Sequence, residues 1–410
     1  MLKNIVIVND FGRIEGGAAN VAINTAIALA SQYNVYLFCA VKPIEPRLEE
    51  VGVKILCINK IDVLHDTNRI HAIINGIWDK KVENDFGRLL SKLGKNDTVV
   101  HVHTWTKALS SSVFSVTSKM DFHVVVTLHD FFCFCPNGGF YNYKKNHICH
   151  RIPMSFGCIA TNCDARNYPQ KLWRVLRMVA QNKALWSNSK LSFISISNLT
   201  DKVCIPLIKN RANVFKLMDP VDIKAQTPND IVNNDYYICM SRLSPEKGTE
   251  LFCKAICELG LKGIVMGDGY LKDDLQKKYP EILFTGWVTG GDKEKYFRMA
   301  KCFVFTSLWY ETFGLAVAEA KSYGIPCIVP DECAASEQVI DSKTGYVFKT
   351  GNLNSLKSTL QKYELSNIGD FQKNLISNFS VNENSMSNHL VSLIAIYTSV
   401  RANELYLKAL

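Results

Sequence analysis

"DYYICMSRLSPEKG", residues 235–248, runs five apolar residues together without a break, then turns polar through a proline, two cations and a glycine. A short apolar run bounded by turn residues suits a strand buried on both faces, the kind found in parallel sheets covered by helices above and below. The pattern recurs in "NIVIVND", "NVYLFCA", "DTVVHVH", "HVVVTLHD" and "SFISISN" of the first half, and in "LKGIVMGDG", "EILFTGWV", "CFVFTSL" and "PCIVPD" of the second. With helix-length segments between them, these runs predict an α/β protein of two doubly wound, Rossmann-like parallel-sheet domains.

The chain of 410 residues is too long for one ordinary core. Pro, Asp and Asn cluster in "KLMDPVDIKAQTPNDIVNND", residues 216–235, and divide an N-terminal domain, 1–216, from a C-terminal one, 217–385. The last stretch, 386–410, has helical spacing with Leu390, Leu393, Ile394 and Tyr397 on one side. Two readings stand for it, a helix packing back across the domain boundary and an ordinary terminal helix. No repeat of fixed period and no low-complexity tail is present.

Composition narrows the setting. The chain is 47% hydrophobic and 21% charged without a run of about 18 apolar residues, so a spanning helix is not expected. "MLKNIVIVND" leads into glycine-rich sequence and reads as a first strand, not as a secretion signal. Most of the 14 cysteines are scattered singly in apolar surroundings, which favours buried thiols in a reducing cytoplasm. The net charge of +9 is all N-terminal: residues 1–200 hold 23 Lys and Arg against 14 Asp and Glu, and the remainder is balanced. Such asymmetry suits contact with a polyanion or the anionic inner face of the cell membrane, or simply a solvated basic face.

Ligands of open α/β sheets gather at the carboxyl ends of strands, which directs attention to the loops there. Arg242 and Lys247 sit together in one such loop, where they could clamp a diphosphate or merely be solvated. Gly286 ends another. In "SLWYETFGLAVAEAKSYGIPCIVPDE", residues 307–332, Phe313-Gly314-Leu315 opens a helix whose free N–H groups and dipole favour phosphate. Glu311 and Glu319 lie in this otherwise apolar, small-residue run, and buried carboxylates need partners that the run itself is not expected to supply.

In the first half, Gly16-Gly17 precedes a helix, while His101, His103 and His129-Asp130 end strands. A histidine at a strand end is either a structural residue or a site residue. Cys133, Cys135, Cys149, Cys158 and Cys163, interleaved with His147 and His150, admit a structural zinc, a crosslinked loop or plain thiols; their spacing lacks paired C-x2-C knuckles. "ARNYPQKLWRVLRMVAQNKALW", residues 165–186, mixes Arg166, Lys171, Arg174, Arg177 and Lys183 with Leu172, Trp173, Leu176 and Met178, a basic amphipathic helix fit for a bilayer surface or for core packing with a wet face.

"SRLSPEKG" together with "WYETFGLAVAEAKSYGIPCIVPD" closely resembles the retaining glycosyltransferases of family 4, strongest over 236–347. The resemblance implies the GT-B fold, its two domains facing across a cleft, with a nucleotide-sugar donor held by the second. Arg242 and Lys247 would hold the donor phosphates, Glu311 with the backbone of Phe313, Gly314 and Leu315 the donor sugar and phosphate, and Glu319 the ribose. Gly16 and Gly17 would approach the diphosphate, and His129 the sugar. "AASEQVIDSKTGYVF" departs from the family pattern by placing Ala334 and Ala335 where glycines are usual, so no ligand contact is assigned there. "LMDPVD" resembles the family linker, with Asp219 in place of Asn, and is read as hinge.

The implied activity is transfer of a hexosyl unit, with retention, from a UDP- or GDP-sugar to a hydroxyl of a growing, lipid-linked glycan of surface polysaccharide. No catalytic metal, cofactor or nucleic-acid partner is implied. Two alternatives are a nucleotide-sugar epimerase on a similar fold and a non-catalytic assembly subunit.

Overall fold

A computed structural model describes residues 1–221, 223, 225–378 and 385–402. The chain divides into two compact units: residues 1–138, 151–220 and 384–410 form the first, and residues 139–150 and 221–383 the second.

In the first unit, strands β1 (Asn4–Phe11), β2 (Asn34–Val41), β3 (Lys54–Cys57), β4 (Thr98–Val102) and β5 (His123–Thr127) precede a small hairpin, β6 (Tyr141–Asn142) and β7 (His147–Ile148), which belongs to the second unit; β8 (Leu191–Ser195) and β9 (Asn213–Lys216) follow. The large sheet has the order β3-β2-β1-β4-β5-β8-β9, with every pair parallel. β1, β4 and β5 are buried along their whole length, as their unbroken apolar runs require. β3 and β9 escape the sequence pattern because each is a four-residue edge strand, half in water and without a continuous apolar run.

The helix Met386–Ala402 fills the core of this unit, burying Leu393, Ile396, Tyr397 and Val400 beside the helix Gly17–Leu29 and β5. Residues 403–410 of the expected terminal helix lie outside the described residues, as does Asp222 of the linker motif. The units meet at 220/221 and not at 216/217, because Leu217 continues the β9 edge, its N–H donating to the Ser195 carbonyl at 2.9 Å.

The second unit holds β10 (Tyr236–Met240), β11 (Lys262–Met266), β12 (Leu283–Gly286), β13 (Ala300–Val304), β14 (Cys327–Pro330) and β15 (Gly345–Phe348), all parallel in the order β12-β11-β10-β13-β14-β15. Alternation feeds two cores. Tyr237, Cys239, Val265, Val304 and Ile328 point to one face, and Ile238, Ile264, Met266, Phe303 and Cys327 to the other.

In both sheets the strand order reverses beside the first strand, between β1 and β4 and between β10 and β13. The crevice at such a reversal is where open α/β sheets place ligands. Among the described residues no helix is long and apolar enough to cross a membrane.

Candidate active site

In the second unit the switch point brings two loops together, Ser241–Gly248 after β10 and Phe305–Gly314 after β13. Backbone bonds join them: Leu308 N–H donates to the Glu246 carbonyl at 2.8 Å, and Thr306 Oγ1 to the Lys247 carbonyl at 3.3 Å. Gly248 allows this approach, since at its φ of 64° a Cβ would sit 2.1 Å from the Thr306 carbonyl oxygen. The result places Lys247 Nζ 2.6 Å from Glu311 Oε2, a half-buried ion pair.

Glu311 Oε2 also accepts from Trp309 Nε1 at 2.9 Å and from Ser307 Oγ at 3.3 Å. The run around Glu311 thus does supply partners, contrary to the sequence expectation. Burial pushes the Glu311 carboxyl up, but Lys247 and these two donors outweigh it and hold it below the ordinary carboxylate value.

Arg242 is largely exposed, and its Nη2 is anchored 2.7 Å from Glu246 Oε1. Glu246 is buried and also accepts from Ser244 Oγ at 2.7 Å. Sequence reasoning missed it, although its position four residues after Arg242 is a usual ion-pair spacing. Gly314, at φ 93°, caps the helix Leu315–Ser322. Its φ and the Ala335 methyl, which a Cβ there would meet at 2.8 Å, both demand glycine. Ala334 and Ala335 are buried beneath this turn, and Gln338 Nε2 bonds the Phe313 carbonyl at 2.8 Å. Glu319 lies further along the helix and pairs with Lys293, a partner the sequence did not suggest. Gly286 closes β12, its carbonyl accepting from Gly267 N–H at 2.9 Å.

The hairpin β6–β7 follows His129-Asp130 in sequence yet packs on these second-unit loops. A Cβ on Gly139 would meet the Trp309 ring at 2.8 Å, the Phe140 and Tyr310 rings lie 6.3 Å apart, and Tyr310 OH is 3.5 Å from His150 Nδ1. Residues 139–150 were assigned to the first domain from the sequence; no local signal marks a segment that leaves its sequence neighbours to cover another unit's loop.

The first unit builds a different kind of site. Gly16, at φ 83°, caps the helix Gly17–Leu29 after β1. His129 Nδ1 lies 3.2 Å from Asp219 Oδ2 and its Nε2 2.9 Å from His103 Nδ1. Asp219, read as hinge, is therefore an orienting partner for His129. His101 extends the array, bonding Tyr397 OH at 2.6 Å and Thr127 Oγ1 at 2.7 Å. Burial holds His101 and His103 well below the ordinary imidazole value, and both are neutral at physiological pH. His103 Nε2 and Asp219 Oδ1 are buried without a hydrogen-bond partner among the described residues, the kind of open valence that a binding site retains.

The cysteine cluster divides: Cys149, with His147 and His150, belongs to the second unit, and Cys133, Cys135, Cys158 and Cys163 to the first. Lys171 Nζ donates to Cys158 Sγ at 3.7 Å, and Asn137 Nδ2 to Cys163 Sγ at 3.2 Å. Among the described residues no three His, Cys, Asp or Glu are placed to hold a metal ion.

Residues 223–379 match the family model described as glycosyl transferases group 1. The second unit, with its clustered Arg, Lys and Glu at the switch point, is a group 1 glycosyl transferase domain. The chain is similar to the Escherichia coli UDP-Gal:alpha-D-GlcNAc-diphosphoundecaprenol alpha-1,3-galactosyltransferase, 27% identical over 177 residues that span 39% of this chain and 45% of that one. It is also similar to a GDP-mannose-dependent alpha-mannosyltransferase of Mycolicibacterium smegmatis, 31% identical over 106 residues, 26% of this chain and 28% of that one. The matches thus span less than half the length of either relative. A sucrose-phosphate synthase from Thermosynechococcus elongatus superposes with a TM-score of 0.69 at 14% identity, covering 98% of this chain and 100% of that one. At that identity the likeness speaks for the fold, the GT-B pair of Rossmann-like domains.

Proposed function

We propose that the protein is a retaining glycosyltransferase that moves a hexosyl unit from a UDP- or GDP-sugar to a hydroxyl of a lipid-linked glycan in surface polysaccharide synthesis, working at the inner face of the cell membrane. The observation that carries this reading is the Lys247–Glu311 pair at the switch point of the group 1 domain, two loops' worth of charge held ready beside a helix N-terminus. The relatives support the substrate classes, one named for UDP-galactose and a diphosphoundecaprenol-linked acceptor and one for GDP-mannose.

In this reading the donor diphosphate takes Lys247 and Arg242 as its cations, and the N–H groups of Gly314 and Leu315 complete its cradle. Lys247 turns from Glu311 to phosphate, which frees the carboxylate to accept from the sugar hydroxyls. Glu319 accepts from the ribose. As the glycosidic bond breaks, negative charge grows on the leaving phosphate, where these fixed cations stabilise it without a metal ion. The acceptor hydroxyl attacks the same face and gives its proton to the departing phosphate oxygen, so the anomeric configuration is kept. His129, steadied by Asp219, bonds the donor sugar once His103 releases its Nε2. Gly16 and Gly17 offer backbone N–H groups to the diphosphate.

The test is release of nucleotide from a panel of UDP-, GDP- and ADP-sugars without acceptor. Slow hydrolysis of one donor supports the reading. No release and no binding of any nucleotide overturns it.

A further inference from the structure

Cys39 of β2 and Cys57 of β3 are direct partners across the parallel ladder, where Ile58 N–H donates to the Cys39 carbonyl at 3.0 Å. Partners in a ladder point to the same face, and both side chains pack against the core of the first unit. Neighbouring strands run about 4.8 Å apart, inside the range of about 4.4 to 6.8 Å that a disulfide spans between Cα atoms. The Cys39 thiol already donates a hydrogen bond to the Cys57 sulfur. Cys302 and Cys327 offer a contrast: they lie on the paired strands β13 and β14, but out of register, and feed opposite cores.

The two sulfurs differ in exposure and charge. Cys39 is 0% exposed, whereas Cys57 ends the short edge strand β3 and is half-buried, within reach of a small solute. The bond from Cys39, the N–H of Asn59 and the ammonium groups of Lys42 and Lys81 hold the Cys57 thiol below its ordinary value, while that same bond and burial push Cys39 up. Cys57 thus supplies a thiolate and Cys39 a protonated thiol beside it, the arrangement of an attacking sulfur and a resolving one. Cys257 is half-buried too, yet burial and the Glu281 carboxylate, 3.8 Å from its sulfur, push it up and keep it protonated.

Cys39 also supports the turn that follows β1. A Cβ on Gly12 would sit 3.2 Å from the Cys39 sulfur, Gly12 N–H donates to the Val41 carbonyl at 2.9 Å, and the Gly12 carbonyl accepts from Glu45 N–H at 2.8 Å. The segment from Gly12 to Gly16, which caps the helix Gly17–Leu29, is therefore seated on the end of β2. β1 and β3 lie on opposite sides of β2. A covalent bond holds two sulfurs closer than a hydrogen bond does, so linking Cys39 to Cys57 draws the Cys39 sulfur away from Gly12.

We propose that Cys39 and Cys57 are a redox modification site, converted by hydrogen peroxide to a reversible disulfide that loosens the turn at residues 12–16. The Cys57 thiolate attacks one peroxide oxygen, the O–O bond breaks and hydroxide leaves. The sulfur is thereby oxidised by two electrons to a sulfenic acid, and the peroxide is reduced. The Cys39 sulfur then attacks the Cys57 sulfur; the S–S bond forms, the S–O bond breaks, and the hydroxide departs as water with the Cys39 proton. A dithiol reductant returns both thiols. This site goes beyond the transferase reading and does not depend on it.

The experiment treats the full chain with hydrogen peroxide, blocks the remaining thiols with iodoacetamide and maps tryptic peptides. Cleavage after Arg13, Arg47, Lys54 and Lys60 leaves Cys39 and Cys57 as the sole cysteines of peptides 14–47 and 55–60, so a link between them is unambiguous. Wild type is expected to form this link at least about tenfold faster than Cys257 is oxidised, and to lose it with dithiothreitol. Cys57→Ser should give no link, and Cys39→Ala should stop at the sulfenic acid, trapped by dimedone on peptide 55–60. Cys57 sits on a half-wet edge, so its variant keeps the core and the test survives should Cys39→Ala fail to fold. Amide hydrogen exchange over residues 12–17 should rise in the oxidised wild type and return on reduction. A missing link, a link no faster than oxidation of Cys257, or a link that leaves exchange over residues 12–17 unchanged would overturn the proposal.

Discussion

The two units handle polar groups at their switch points in opposite ways. In the second, the groups are charged and paired within a pair of neighbouring loops: Lys247 with Glu311, Arg242 with Glu246. In the first, His101 and His103 are neutral and buried and wired to distant parts of the chain, His101 to Tyr397 and His129 to Asp219. Charged pairs on loops can trade one partner for a ligand's phosphate at little cost, since the ions are never left alone. A buried neutral array is stiff and fixes a single imidazole in place. The first arrangement suits charge stabilisation, and the second suits positioning.

The sharpest way to break this contrast is to remove the charges. Lys247→Ala is expected to lower donor turnover by about 100-fold or more, because a fixed donor aimed at developing charge contributes that much, and Glu311→Ala is expected to lower turnover too, because it removes the acceptor that holds Lys247 and the sugar hydroxyls. Steady-state assay with the released donor measures it. A loss in only one of the two would mean that the pair does not act as a unit.

Next in size is Gly248→Ala. The left-handed backbone and the 2.1 Å approach to Thr306 force the two loops apart, with an expected loss of about 3 kcal/mol in urea unfolding and of activity along with it. Retained activity in a destabilised protein would show that the loop junction does not set the Lys247–Glu311 geometry.

Acid separates the units by the pH window in which each loses stability. The folded values of His101 and His103 lie well below the ordinary imidazole value, and burial pulls His123 down to about 4. The unfolded chain therefore binds more protons than the folded one beneath about pH 6.5, and stability falls with pH from there toward each folded value. The expected slope is on the order of 1 kcal/mol per pH unit for each such histidine, followed by urea unfolding from about pH 7.5 to pH 5. Glu311, held low, loses its contribution only below the ordinary carboxylate range, so the second unit should tolerate this window. A flat profile would deny the histidines their neutral, buried state.

The finest comparison is between two tryptophans. Trp309→Phe removes a donor to an ionised carboxylate and should cost about 2 kcal/mol, whereas Trp173→Phe removes one to a neutral carbonyl and should cost about 1 kcal/mol. Urea unfolding of both variants ranks them; equal costs would mean that Trp309 does not contribute to holding Glu311.

The same contrast explains what could be read in advance. Arg242, Lys247, Glu311 and Gly314 lie in short segments whose strand, turn and helix patterns are local, and their neighbourhood follows from sheet topology. The partners of those residues were less legible. Glu246 and Trp309 look like ordinary loop and core residues until the loops meet. The histidine array and Asp219 depend on contacts across 26 to 296 residues, which periodicity does not carry. The helix Tyr168–Leu185 shows the limit most plainly: charge and apolar spacing were visible, but which face turns inward was set by Cys158, Thr106 and Phe132 from elsewhere in the first unit. β3 and β9 went unseen because short, half-wet strands leave no period to detect, and the hairpin because its strands are two residues long.

The most direct measurement is calorimetric titration of wild type, Lys247→Ala and Glu311→Ala with the preferred nucleotide diphosphate and with its sugar conjugate. If the pair marks the donor site, Lys247→Ala loses both ligands, while Glu311→Ala still binds the diphosphate and no longer gains from the sugar. Both variants binding both ligands as wild type does would contradict it.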